Sequence, residues 1–139
     1  MSNLSFDEIQ VGDDLPALTT DEISRTTLAL FAGASGDHNP IHIDIDFAKS
    51  AGMDDVFAHG MLSMAYLGRL LTNWVPQQAI KEFGTRFVAI TQLRDAISCT
   101  GRVTEKFEEA GQKLVRLEIQ AANQSGDVKL AGHALVELT

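Results

Sequence analysis

One segment, Gly60–Trp74, limits the possible folds of this chain more than any other. Its apolar residues cover most of the circumference of a helix, and Arg69 is its only charge. A helix that is apolar on nearly every side is a buried one. Pro76 follows and cannot continue a regular helix. The segment therefore predicts one long helix against which the rest of the chain packs.

After Ile80 the apolar residues change to a period of two, which is typical of strands. Three segments alternate and a fourth, largely apolar one closes the chain: Phe83–Ile90, Ile97–Thr104, Leu114–Ala121 and Val128–Leu138. Turn-forming residues at Glu108–Gly111 and Asn123–Asp127 indicate that the last three strands form an antiparallel meander. A buried helix followed by an antiparallel sheet predicts an α+β fold in which the sheet wraps the helix.

Two shorter helices are predicted before the buried one. Thr19–Glu22 looks like a helix start, with a threonine cap and acids in the first turn. Apolar residues at helical spacing follow it as far as Ala34. A second helix is expected at Ile45–Ala51, with Asp44 as its cap and Gly52 as its stop.

The composition suits one globular domain over residues 1–139, since 45% of the residues are hydrophobic and 22% are charged. Cys99 is the only cysteine, so no internal disulfide can form and nothing indicates an oxidising compartment. Met1–Asp7 has neither the basic start nor the apolar stretch of a signal peptide. No uncharged run is long enough to cross a membrane. We therefore expect a soluble, cytoplasmic protein with no membrane partner.

The net charge of −8 argues against a nucleic-acid partner, because binding to nucleic acid requires a basic surface. The charge is uneven: residues 1–60 carry −9 and the remainder carries +1. If the ligand carries phosphates, its charged end is expected near a base of the second half. The candidates are Lys81, Arg86, Arg94, Arg102 and Lys106. Any one of them could equally be a solvated strand end.

Polar side chains are densest in the segment Ser35–Asp44. Its acids and histidines raise the possibility of a metal site: Asp37, His38, His42 and Asp44. Pro40 lies between the two histidines, so they do not share one helix face and no metal site is predicted. Ser35 and Ser63 are possible nucleophiles, but neither lies in the strand-turn-helix pattern of a nucleophile elbow.

Acid/base chemistry is the remaining possibility for this segment. Pro40 keeps Asn39 out of the helical region, so the segment is a rigid turn. Asp37 and His42, held by such a turn, could share one water, with one group removing its proton and the other delivering a proton elsewhere. Alternatively, Asp37 caps the turn and His42 is an ordinary core histidine. Spacing alone favours that second interpretation.

The segment Ala58–Met61 lies where the buried helix begins. A helix N-terminus offers free N–H groups and the positive end of the helix dipole, which suit a developing oxyanion. Gly60 would let a ligand carbonyl approach the backbone closely. The alternative is an ordinary helix start with His59 as a poor cap.

Together these motifs resemble the MaoC-like (R)-specific enoyl-CoA hydratases, also called the hydratase 2 family. The resemblance rests on three groups of residues: Gly36-Asp37-His38-Asn39-Pro40-Ile41-His42, then Asp44, Ala48 and Gly52, then His59-Gly60-Met61. It extends to the opening Phe6–Asp13 and to Arg86-Phe87. It is closest to the single-domain members, which include bacterial hydroxyacyl thioester dehydratase subunits. It implies a hot-dog fold, in which an antiparallel sheet wraps a long helix and the Asp–His turn lies over a substrate tunnel.

The resemblance also implies roles for individual residues. Asp37 and His42 match the catalytic pair, and Gly60 matches the glycine whose N–H polarises the thioester carbonyl. Substrate-binding roles follow for Asn39, which would also brace the turn, and for His59, Ser63 and Arg86. Some members have a supporting serine where this chain has Gly68, and Ser63 is the candidate to replace it. No metal or redox cofactor is implied, and coenzyme A enters only as part of the substrate.

The function that we expect is (R)-specific hydration of trans-2-enoyl-CoA, or dehydration of (3R)-hydroxyacyl thioesters in reverse. Two alternatives stay open: an acyl-CoA thioesterase on the same fold, and one subunit of a heterodimeric hydroxyacyl-ACP dehydratase. Acyl carrier protein is acidic, so a chain with a charge of −8 favours coenzyme A as the carrier. The resemblance implies a homodimer formed by pairing of sheet edges.

Overall fold

The computed structural model describes residues 4–139. The first three residues of Met1–Asp7, the segment considered above for a signal peptide, lie outside the described residues. Five strands and three α-helices follow one another along the chain. In order they are β1 (Leu18–Glu22), α1 (Arg25–Ser35), α2 (Ile45–Ser50), α3 (Gly60–Thr72), β2 (Ile80–Phe87), β3 (Ala96–Glu109), β4 (Gln112–Ala122) and β5 (Val128–Leu138). Short 3-10 helices lie at Phe6–Glu8, Pro40–His42 and Gln77–Ala79.

The strands form one antiparallel sheet with the order β1-β3-β4-β5-β2. The last three strands form the expected meander, and helix α3 contacts all five strands. The α+β fold with a sheet wrapped round one long helix is therefore confirmed. Helix α3 ends at Thr72, two residues before the end expected from the apolar pattern.

Alternation in the strands decides which side chains face the helix. Ile97, Cys99 and Val103 of β3 are buried, as are Leu117 and Ile119 of β4. Helix α3 meets them with three fully buried leucines: Leu67, Leu70 and Leu71. Each such side chain contributes about 2 kcal/mol when removed from water. The core thus lies between α3 and the concave face of the sheet.

The helix start predicted at Thr19–Glu22 is wrong, because this segment lies in strand β1 and pairs with β3. The hydroxyl of Thr20 accepts a hydrogen bond from the Ile97 N–H at 3.1 Å, so it is engaged by the sheet. Helix α1 begins at Arg25 instead, and Ser24 Oγ caps it by accepting from Thr27 N–H at 3.1 Å. Thr19 and Thr20 are β-branched, and such residues suit an edge strand as well as they suit a helix start.

The second short helix follows the prediction closely. Asp44 caps α2 by accepting from the N–H groups of Asp46 (3.0 Å) and Phe47 (3.3 Å). Gly52, at φ +88°, lies just after the helix as its stop. Asp44 thus has a structural task at this position.

Within residues 4–139, no helix has the length and apolar character needed to span a bilayer.

Candidate active site

The turn between α1 and α2 is held by its own polar groups. Gly36, at φ +79°, ends α1 in a left-handed conformation that glycine adopts without strain. The Asp37 carboxylate accepts from Asn39 N–H at 3.3 Å, and Asn39 Oδ1 accepts from Ile41 N–H at 3.1 Å. These short-range bonds fix the turn and leave the Asp37 side chain exposed to solvent.

His42 is oriented by a backbone carbonyl. Its Nδ1 lies 2.7 Å from the carbonyl oxygen of Phe57. Since a carbonyl can only accept, Nδ1 carries the proton and Nε2 of the neutral ring is left with a free lone pair. His42 therefore presents a proton acceptor, and its ring cannot turn without breaking the bond to Phe57.

His59 stacks on His42, with ring centroids 4.0 Å apart and an angle of 28° between the planes. It is buried, and its Nε2–H donates to the backbone carbonyl of Asp37 at 3.1 Å. Its Nδ1 is buried without a hydrogen-bond partner among residues 4–139. Burial lowers the pKa of His59, while the Asp37 carbonyl acts in the opposite direction. We conclude that His59 is a neutral ring that ties the Asp37 turn to His42.

The structure brings Asp37, His42 and His59 into one cluster: one carboxylate oxygen of Asp37 and one ring nitrogen of each histidine lie within 4.8 Å of one another. Such a cluster can hold one water between the Asp37 carboxylate and His42. It is a poor metal site, because His59 Nε2 is bonded to Asp37 and His59 Nδ1 is closed to solvent. His38 and Asp44, weighed with them in the sequence, lie outside the cluster.

Helix α3 starts directly beside this cluster. His59 is the N-cap residue of α3. Its side chain makes no capping hydrogen bond, in agreement with the poor cap considered from the sequence. Gly60 is the first helical residue, and its N–H makes no hydrogen bond within the described part of the chain. A Cβ at Gly60 would lie 2.8 Å from the Phe87 ring, so glycine is needed for this close approach. The N-terminus of α3, with its unbonded Gly60 N–H, thus lies next to the cluster of Asp37, His42 and His59.

The candidate nucleophiles are not set up for attack. Ser35 Oγ accepts from the Asp37 N–H at 3.1 Å, which places it inside the turn. Ser63 is fully buried, and its Oγ lies 3.3 Å from Thr91 Oγ1. Burial raises the pKa of the Cys99 thiol to about 11. The site therefore favours acid/base chemistry over covalent catalysis.

None of the basic residues expected near a phosphate is bonded to the cluster within residues 4–139. Lys81 pairs with Glu137, Arg102 pairs with Asp14, and the Lys106 ammonium donates to the Ile9 carbonyl, while Arg94 lies in the β2–β3 connection. Arg86 is exposed and pairs with Ala131 in the sheet. Neighbouring residues of a strand face opposite sides, so Arg86 points away from the face on which Phe87 meets Gly60. Within residues 4–139, no hydrogen bond or ion pair joins the Arg86 side chain to Asp37 or His42.

Sequence reasoning missed three participants. The carbonyl of Phe57 carries no side-chain signal, so only the fold reveals that it orients His42. Thr91 comes from the loop after strand β2, far from the motif in sequence. Phe87 is part of the resemblance, but its position beside Gly60 is visible only in the fold. One signal was available in the sequence, the apolar run that ends at Ile90. Phe87, Val88 and Ile90 of this run are exposed, and Phe87 lies beside Gly60.

Comparison with known proteins places these features in context. Residues 8–124 match the model of the MaoC like domain. The chain is 30% identical over 138 residues to an (R)-specific enoyl-CoA hydratase of Rhodospirillum rubrum, which covers 94% of this chain and 89% of that protein. It is 28% identical over 137 residues to fatty acid synthase subunit beta of Saccharomyces cerevisiae, covering 94% of this chain but only 6% of that protein.

Among solved structures, the chain is similar to the unliganded R-hydratase PhaJ1 of Pseudomonas aeruginosa. The TM-score is 0.84 at 29% sequence identity, and the match covers 98% of this chain and 86% of the other. The expected hot-dog fold is thereby confirmed.

Proposed function

The chain belongs to the MaoC-like domain family, and from that premise we propose that this hydro-lyase adds water to trans-2-enoyl-CoA to give the (3R)-hydroxyacyl product. One observation carries the proposal: the Asp37 carboxylate and the proton-accepting His42 meet beside the free N-terminus of α3. The (R)-specific hydratase name of the Rhodospirillum rubrum relative supports the same chemistry. The reverse reaction dehydrates the hydroxyacyl thioester through the same transition state.

Asp37 and His42 act as one acid/base unit. Water attacks C3 of the enoyl group, its oxygen forming the new C–O bond while the pair takes up its proton. A proton from the pair is delivered to C2, so the pair returns to its starting state. One ligand atom of Asp37 and one of His42 lie within 4.8 Å of each other, so this proposal assigns the acid and base roles to the pair and not to either residue alone.

Gly60 supplies the electrophilic half of the mechanism. Attack at C3 requires electrons to flow through C2 to the thioester oxygen, which becomes enolate-like. The unbonded Gly60 N–H at the positive end of α3 stabilises that oxygen. Removing one such donor typically costs roughly a hundredfold to a thousandfold in rate.

Asn39, His59 and Ser63 act as positioning residues in this proposal. Asn39 braces the turn, and His59 ties Asp37 to His42. His59 and Ser63 are both closed to solvent, which argues against the direct substrate contact that the resemblance implied. Contact between Arg86 and the coenzyme A moiety stays a prediction.

We further propose that the active form is a homodimer and that acyl-CoA is the substrate, with no metal or redox cofactor. Strand β2 is an edge of the sheet, and apolar side chains that are about half exposed lie at its end and beside it: Met61, Phe87, Val88 and Ile90. A second copy could pair along this edge and cover them. The negative charge of the chain favours coenzyme A over an acidic carrier protein.

The direct test is incubation of the purified chain with trans-2-butenoyl-CoA, following the loss of enoyl absorbance and the chirality of the product. We expect rapid loss of absorbance, an (R)-3-hydroxy product and no free thiol. Release of free thiol without hydration would instead identify a thioesterase. Activity only on enoyl groups bound to acyl carrier protein, or only with a second hot-dog chain added, would replace the coenzyme A substrate or the homodimer in this proposal.

A further inference from the structure

The segment Phe57–Gly60 is held in place by the loop Val88–Asp95, which follows strand β2. Ala58 N–H donates to the Thr91 carbonyl at 2.9 Å, and Phe57 forms a β-bridge with Gln92. Thr91 is buried, and its hydroxyl also lies 3.3 Å from that of Ser63 on the first turn of α3. The loop thus contacts both the segment and the helix that it starts.

The same segment sets the geometry of the active site. The Phe57 carbonyl orients His42, His59 bonds the Asp37 backbone, and Gly60 is the first residue of α3. A displacement of the loop would therefore move the proton acceptor and the oxyanion donor together. Misplacement of catalytic groups by about 1 Å can cost roughly a hundredfold in rate.

One residue of strand β5, Lys129, fixes the beginning of the loop. Its carbonyl accepts from Val88 N–H at 2.8 Å and from Ala89 N–H at 3.2 Å. Its side chain turns back, and Nζ donates to the Ile90 carbonyl at 2.9 Å. Three consecutive loop residues are thus bonded to Lys129.

The end of the loop is fixed by Asp95, which lies 3.6 Å from the Lys129 ammonium. Asp95 Oδ2 accepts from Gln92 N–H at 2.8 Å, and Oδ1 accepts from the Asn123 amide at 3.2 Å. The side chains of Lys129 and Asp95 are only 9% and 11% exposed. Buried ion pairs are often no more stabilising than apolar side chains of similar size, so the burial of this pair is weak evidence for a purely stabilising role.

Building on the hydratase function proposed above, we propose that Lys129 and Asp95 form a positioning pair for the active site. The pair closes the Val88–Asp95 loop, and the loop holds Phe57–Gly60 in the arrangement that catalysis requires. Neither residue touches the substrate. Loss of the pair should therefore lower kcat more than it changes KM.

The test compares Lys129→Met and the near-isosteric Asp95→Asn with the wild type, and Val115→Ala on strand β4 serves as a matched core-destabilising control. Hydration of trans-2-butenoyl-CoA is measured at a temperature at which all the variants are folded. We expect kcat to fall about tenfold or more in both pair variants, with KM within about twofold. Val115→Ala should keep its kcat. If Lys129→Met does not fold, Asp95→Asn decides the question by the same criteria.

Hydrogen exchange provides a measurement that does not depend on activity. The Ala58 amide, which donates to Thr91, should exchange faster in the pair variants than in Val115→Ala. Wild-type kcat together with unchanged protection of Ala58 in both pair variants would overturn the inference. If the wild type proves inactive, the proposed function fails, while the exchange rates still decide whether the pair positions the segment.

Discussion

Two stacked histidines in this site have different surroundings and different tasks. His42 keeps one nitrogen on the Phe57 carbonyl and the other free, as a proton acceptor must. His59 is buried beneath it, with a pKa lowered by burial, so it supports the site without carrying charge. A protonated His59 would place a buried positive charge against the His42 ring.

This burial predicts a pH dependence of folding. The pKa of His59 lies below its ordinary 6.5 in the folded state, so the unfolded chain binds more protons as the pH falls below that value. The free energy of unfolding should therefore decrease from pH 7.5 to 5.5, and His59→Gln should reduce that decrease. Urea unfolding at both pH values measures the effect, with the exposed His38→Gln as control. An equal decrease in all three proteins would show that His59 carries no penalty for protonation.

The closed Nδ1 of His59 also predicts insensitivity to metal removal. Because only Asp37 and His42 remain as ligands, the cluster lacks a third accessible donor for tight binding of zinc. Hydratase activity should survive dialysis against EDTA and should not rise when zinc is added back. Loss of activity with EDTA that zinc restores would make the cluster a metal centre.

In the proposed mechanism, the electrophilic half of the site depends on the start of helix α3. Its first residue must leave an N–H free and must pass within van der Waals contact of the Phe87 ring. Glycine meets both needs, since any larger residue pushes the ring or the helix start aside. Phe87 is exposed, so the fold can yield there at little cost in stability.

Gly60→Ala should accordingly lose activity while staying folded. Its Cβ would lie 2.8 Å from Phe87, so we expect kcat to fall about tenfold or more, with a change in unfolding free energy below about 1 kcal/mol. Gly33→Ala in α1, where a Cβ meets nothing within 4 Å, is the matched control and should keep full activity. Steady-state kinetics and thermal melting distinguish the two. Full activity of Gly60→Ala would show that catalysis does not require the close approach of this position to the Phe87 ring.

The elements that could be predicted from the sequence are those with a strong apolar period. Helix α3 and the β3–β5 meander follow directly from it, and the Asp44 cap marks α2. Strand β1 could not be recognised, because Thr19–Glu22 carries the residue types of a helix start and only pairing with β3 decides its state. The Phe57 carbonyl was equally hidden, since backbone groups leave no mark in a sequence.

Taken together, the fold leaves β2 as a sheet edge with exposed apolar residues beside the active site. A monomer would keep this surface in water, whereas a second copy would cover it. The homodimer and the cytoplasmic location stay predictions from the sequence. In this proposal dimer assembly and activity are linked, because Phe87 is part of the exposed apolar surface and also lies against Gly60 at the start of α3.

Sedimentation equilibrium should give a mass of about twice the 15.1 kDa of one chain. Val88→Asp places a charge in the apolar surface and should shift the equilibrium towards the monomer. We expect the dissociation constant of the dimer to rise about tenfold or more. Lys49→Asp, on α2 away from β2, is the control and should leave the dimer intact. A wild type that sediments as a monomer at all concentrations would contradict the homodimer.

The acid/base role of Asp37 is tested most directly by comparing Asp37→Asn with Asp46→Asn in the hydration of trans-2-butenoyl-CoA. The first substitution removes the carboxylate beside His42, whereas the second removes an exposed carboxylate on the neighbouring helix α2. We predict that kcat falls about a hundredfold or more in Asp37→Asn and stays within about twofold of wild type in Asp46→Asn. An active wild type with an equally active Asp37→Asn variant would contradict the mechanism.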